Sequence, residues 1–185
     1  MLGVGAGATL AAWTDSEHSQ ATFTAGRFGI QGGVTNPANG VMTWGEHASK
    51  TGAASITFSL PAQAMAPDDT TYGVFGVRTT QNSMAGTVIL EAWSENSNGL
   101  GNYLTYEVRT VPTPAQCNAT NFSSGTQVIP ANSTLITSAG NSQTLQANQA
   151  SPVYYCFKVS MLSNTPTSMQ GQTLTARWKF IAQSS

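Results

Sequence analysis

Apolar and polar residues alternate with a period of two along most of this chain, and no stretch sustains a period of 3.6. The segment 53–60, AASITFSL, puts Ile56, Phe58 and Leu60 on one face, and Pro61 ends it. In 72–80 Tyr72, Val74, Gly76 and Arg78 share one face; Phe75, Val77 and Thr79 share the other. The run 85–94 sets Val88, Leu90 and Ala92 opposite Ile89, Glu91 and Trp93. Residues 103–111 align Leu104, Tyr106, Val108 and Thr110, and Pro112 and Pro114 stop them. Near the C-terminus, 152–162 aligns Tyr155, Phe157 and Val159, and 173–182 aligns Leu174, Ala176, Trp178 and Phe180. A short strand over 41–44 completes the regular part. Gly-Gly, Asn-Pro and Asn-Gly make 32–40 a turn-rich loop, and 117–149 is the least regular third. About eight to ten strands between turn signals predict an all-β fold, an antiparallel two-sheet β-sandwich of jelly-roll-like form.

The N-terminal end changes character in the middle. Residues 2–12 are small, apolar and uncharged, and from Trp13 the chain turns polar, with Asp15, Glu17 and His18 close together. That pattern reads as the tail of an export signal without its basic part. Residues 1–12 are therefore expected to be a signal-peptide remnant and 13–185 a single domain. The run 21–31 reads as the first strand. Phe23, Ala25 and Arg27 fall on one face and Thr22, Thr24, Phe28 and Ile30 on the other, with Gly26 and Gly29 marking a bend or bulge.

Charge changes the picture of partners. Only 8% of residues are charged and the net charge is −1, against about a quarter charged in average globular proteins. Little repulsion then opposes self-association. The seven basic residues are scattered singly, so no phosphate-tracking patch forms and nucleic acid is disfavoured. No apolar run is long enough for a membrane span. In an exported chain, the isolated pair Cys117 and Cys156 most often forms one disulfide. It would close a loop of about 40 residues, worth about 4 kcal/mol in the chain-entropy model. A thiol metal site lacks a second Cys or a His nearby in sequence.

Catalytic motifs are missing. His18 and His47 are the only histidines, and neither belongs to His-Glu-x-x-His. Asp15, Glu17 and His18 read as a solvated N-terminus, and Asp68-Asp69 after Pro67 as turn residues rather than a calcium loop. Glu91 and Glu107 lie within strands and are the one candidate carboxylate pair; a strand glutamate usually faces solvent. No Gly-x-Ser-x-Gly elbow exists. Trp13, Trp44, Trp93 and Trp178 are expected in core or interface positions. No cofactor, catalytic residue or metal ligand is assigned.

The residues GAGATLAAWTDSE (5–17), followed by ATFTAGRFGI (21–30), resemble the TasA/camelysin family of proteins, exported with a signal cleaved by a SipW-type peptidase. The loop Ala66-Pro67-Asp68-Asp69-Thr70 is similar to that family's Pro-Gly-Asp entry to a core strand, with Asp68 where glycine is usual. The closing strand 171–182 is similar to that of actinobacterial members. The specific match covers about a fifth of the chain. The resemblance implies cleavage between Ala12 and Trp13 and a jelly-roll-like sandwich. For the TasA branch it implies extracellular biofilm-matrix fibres, in which one subunit's N-terminal strand completes its neighbour's sheet. The cysteine pair, the low charge and the long 117–149 segment set this chain apart from that branch. The metallopeptidase activity in the camelysin name finds no support in these residues.

The expected function is a secreted cell-surface or matrix structural protein that self-associates, or joins matrix components, by strand addition. Phe23, Ala25, Gly26, Phe28 and Ile30 would form the assembly strand, with Phe23 and Phe28 filling pockets. The alternative is a monomeric adhesion or glycan-binding module with that strand docked in its own sheet.

Overall fold

The computed structural model describes residue 17 and residues 19–22, 24–36, 39–60 and 65–185. Among these residues nine strands form two antiparallel sheets. They are β1 (Ile30–Thr35), β2 (Met42–Gly45), β3 (Thr70–Thr79), β4 (Gly86–Ala92), β5 (Leu104–Val111), β6 (Thr126–Thr134), β7 (Gln143–Leu145), β8 (Val153–Met161) and β9 (Trp178–Ser184). The larger sheet has the order β2-β1-β3-β8-β5-β6 and the smaller β7-β4-β9. From β3 onward the chain crosses repeatedly between the sheets, giving the antiparallel sandwich its jelly-roll-like path. Helical structure among the described residues is confined to short 3-10 turns.

Alternation decides which side chains meet between the sheets. Phe75 and Val77 of β3, Tyr106 and Val108 of β5, and Tyr155, Phe157 and Val159 of β8 are buried on the inner face of the larger sheet. Val88, Leu90 and Leu145 face them from the smaller one. Trp178 and Phe180 of β9 close the layer. Phe180 stacks on Phe75 with ring centroids 4.9 Å apart, and Trp178 lies 4.8 Å from Phe157. Burying each such side chain contributes about 1.5–3 kcal/mol, so this seam holds β9 against the larger sheet.

Several expected elements differ in extent. The first strand starts at Ile30, not Ala21, and runs on through Gly32 and Gly33, which read as a turn in sequence. These glycines serve close packing. A Cβ at Gly33 would lie 2.7 Å from the Trp44 ring, and one at Gly32 would lie 2.5 Å from Phe75. Upstream of Ile30, the described residues form only one isolated bridge, Arg27 to Ser83. Residues 53–60 keep their alternation, with Ala54, Ile56, Phe58 and Leu60 half-buried, but join the sheet only where Phe58 bridges Gly73.

β6 and β7 fall in the segment read as irregular. β6 is an edge strand with Pro130 inside it and register shifts against β5. An edge tolerates such breaks, and they erase the sequence signature. The closing strand begins at Trp178 rather than Thr173. Just before it, the buried Asn96 side chain takes both backbone groups of Arg177: its amide accepts from the Arg177 N–H at 2.9 Å and donates to the Arg177 carbonyl at 2.8 Å.

A second, smaller cluster covers the outer face of the larger sheet. Val111, Phe122 and Cys156 are buried there, with Tyr72, Cys117 and Tyr154 packed against them. The cover is the segment 112–125. Arg109 donates to the carbonyls of Ser123 and Gly125 and to the Glu107 carboxylate at 2.6 Å. Cys117 is joined to Cys156 by a disulfide, which fastens this cover to β8.

Candidate functional site

The two sheets are unequal, and the mismatch creates a site. With six strands over three, the smaller sheet ends at β9 while β3 and β1 continue beyond it. A cleft of about 960 Å³ opens along that side. Its floor is the inner face of the larger sheet, with Ile30, Phe75 and Val77; one wall is β9 and its lead-in, with Leu174, Trp178 and Phe180. The half-buried face of 53–60, with Ile56 and Phe58, makes the other wall.

β9 pairs only with β4 among the described residues, from Gly86 to Ser184 at one end to Ala92 to Trp178 at the other. Its second edge therefore offers backbone N–H and C=O groups beside an apolar channel. A strand added there would satisfy backbone groups on both partners while burying alternate side chains. β2, β6 and β7 also end their sheets, but it is β9 whose free edge borders the cleft.

The rim is polar. Lys50, Arg177, Glu46 and His47 line it, while Lys179 borders the cleft from β9 and alternates with the inward-facing Trp178 and Phe180. Lys50 Nζ sits 4.3 Å above the Trp93 ring, and His47 Nδ1 donates to the Gly52 carbonyl at 3.0 Å. In the core beside Trp178, the Tyr106 hydroxyl donates to the Thr137 carbonyl, and burial pushes that phenol up to about 12. Burial also raises Tyr155, whose hydroxyl has no partner among the described residues.

The proposed assembly residues divide. Ala12, Trp13 and Phe23 lie outside the described residues. Ala25 and Gly26 are exposed and belong to no strand. Phe28 is used within its own chain: a Cβ at Gly86 would lie 2.6 Å from its ring. Ile30 opens β1 and packs on the core. The expectation that 21–30 acts as one continuous strand is thus corrected at Arg27. From there on, Met84 N–H donates to Arg27 and Thr80 N–H to Gly29, binding the segment to its own β3–β4 connection.

The other candidates stay apart. Glu91 is exposed on the outer side of the small sheet, whereas Glu107 is buried against Arg109 on the outer side of the large one, so they form no catalytic pair. Asp69 accepts from the Ala66 N–H at 2.7 Å, as a turn residue does, and His18 lies outside the described residues. Among the described residues no group of three or more His, Cys, Asp or Glu side chains could hold a metal, and no helix is long and apolar enough to cross a membrane. Cys117 and Cys156 pair as expected.

The cleft itself has no sequence signal, because it arises from a difference in sheet width. The class defined by these features is an antiparallel two-sheet β-sandwich with one open edge beside an apolar cleft. No family model matches the chain, and no curated protein matches it.

Proposed function

We propose that this protein is an exported structural subunit of the cell surface or extracellular matrix that assembles by strand addition. The N-terminal run of one copy pairs with the free edge of β9 in the next, and its apolar side chains enter the cleft. One observation carries this reading: the β9 edge, unpaired among the described residues, runs beside an open apolar cleft of about 960 Å³. Three further features support it. The described part of the run before Phe28 is exposed. The charge is too low for copies to repel one another. The Cys117–Cys156 disulfide suits an oxidising compartment. The resemblance of 5–17 and 21–30 to the TasA/camelysin proteins points the same way.

Because Phe28 and Ile30 are engaged in their own chain, the donor is assigned to 13–26. The test compares chains starting at Trp13 and at Arg27 by light scattering and negative-stain microscopy. Fibres that depend on concentration are expected from the first. The second should stay monomeric with an unchanged circular dichroism spectrum. Fibres from the shorter chain would rule out this donor, and a monomer from both would favour an adhesion or glycan-binding module.

A further inference from the structure

We propose that the outer face of the larger sheet binds an acidic polysaccharide, with the Arg78 guanidinium holding a sugar carboxylate beside Trp44 and Tyr154. Phe75 and Val77 point into the core, so Gly76 and Arg78 alternate onto the outer face, away from the cleft. The inference therefore goes beyond the strand-addition reading and does not depend on it. Cross-strand pairing sets Trp44 of β2, Gly33 of β1, Gly76 of β3 and Tyr154 of β8 in one row on this face. Three strand spacings separate the ends of the row, about 14 Å, yet the Trp44 and Tyr154 ring centroids are 6.4 Å apart. The rings lean together because the two middle positions carry no side chain. A Cβ at Gly33 or at Gly76 would lie 2.7 Å from the Trp44 ring.

Arg78 stands in the neighbouring row, opposite Gln31. Its guanidinium carbon lies 4.3 Å from the Trp44 ring centroid. Nε and Nη2 both donate to Gln31 Oε1, at 3.1 and 3.0 Å, and Gln149 Nε2 donates to the same oxygen at 3.4 Å. One edge of the guanidinium is thus fixed. The other edge, Nη1 with the second hydrogen of Nη2, has no partner among the described residues, where the salt bridge is Arg109–Glu107. Arg78, Trp44 and Tyr154 are all half-buried and reachable from solvent. A planar fork held against an aromatic ring, with one edge open and no acid to neutralise it, matches a carboxylate bidentately.

The surroundings decide what carries that carboxylate. Arg78 is the only charged residue in β1, β2 and β3. A nucleic acid would need several basic side chains to meet successive phosphates, whereas a polymer with one carboxylate per sugar needs one cation per contact. Tyr154 also lines a hollow of about 370 Å³, together with Thr126, Gln143 and Ser151, and no charged side chain lines it. Hydroxyls and amides beside aromatic rings suit a sugar, which presents C–H groups on its faces and hydroxyls at its edges. Copies arrayed in a fibre would repeat the contact along one polysaccharide chain and multiply a weak single affinity.

The test is affinity gel electrophoresis of the whole chain at about 0.15 M salt, where distant charges are screened. The gels contain polygalacturonate, its methyl ester or dextran. Retardation is expected with polygalacturonate alone. Arg78→Gln should weaken it about tenfold or more, the loss of a charge-assisted contact. Arg78→Lys keeps the charge but not the fork, and should weaken it nearly as much, with an unchanged circular dichroism spectrum. Lys158→Gln removes a basic side chain beside Phe122, under the cover, and should bind like the parent. Retardation by none of the gels, or equal retardation by the methyl ester or dextran, overturns the site. So does an Arg78→Gln or Arg78→Lys form that binds like the parent, or a Lys158→Gln form weakened as much as Arg78→Gln. The strand-addition reading stands or falls separately, on the truncated chains.

Discussion

Tyr155 and Tyr106 both lie on the inner face of the larger sheet, on the adjacent strands β8 and β5, yet their hydroxyls are treated differently. The Tyr106 oxygen donates to Thr137, whereas that of Tyr155 is buried without a partner among the described residues. Removing an unsatisfied buried polar atom is neutral or favourable, and removing one member of a hydrogen bond costs about 1 kcal/mol. Urea denaturation should therefore find Tyr155→Phe at least as stable as the parent and Tyr106→Phe less stable by about 1 kcal/mol. Both phenols are raised above their ordinary value by burial. Their contribution is complete below about pH 10, where the unfolded phenol titrates, and is lost as pH climbs through the Tyr106 value of about 12. Alkaline unfolding followed by tyrosinate absorbance should begin in that window and shift upward in Tyr155→Phe. Alternation made the inward placement of both rings legible, but the partner of each hydroxyl depends on chain brought in from elsewhere.

Among the elements, the cover over 112–125 has the clearest energetic signature. It is held by the Cys117–Cys156 disulfide and by Arg109. Replacing both cysteines by alanine should cost about 4 kcal/mol, read as a lower urea midpoint. Hydrogen exchange should show the loss of protection concentrated in 112–125, with β3, β5 and β8 keeping theirs at low denaturant. The cysteine pairing was visible in sequence because there was only one pair to make. The strands β6 and β7 were not, because Pro130 and the bulged register of an edge strand break the alternation. Gly32 and Gly33 misled for another reason: glycine marks turns, but it also marks close approach, and here the rings of Trp44 and Phe75 need the space.

At the scale of the whole molecule, the unequal sheets matter most. An open apolar cleft beside a free strand edge should bind an environment-sensitive dye such as anilinonaphthalene sulfonate. Fluorescence should be high in dilute monomer and fall on assembly, as the proposed donor occupies the cleft; unchanged fluorescence on assembly would place the contact elsewhere. The period-two pattern was enough to settle an all-β sandwich and most inward-facing residues, because side-chain alternation is a local property of an extended backbone. It could not settle how many strands each sheet holds, which edge stays unpaired among the described residues, or that Ile30, Ile56 and Trp178, far apart in the chain, line one cleft. Those depend on pairing between distant segments, where backbone hydrogen bonds are nearly indifferent to side-chain identity and the packing of whole sheets makes the choice.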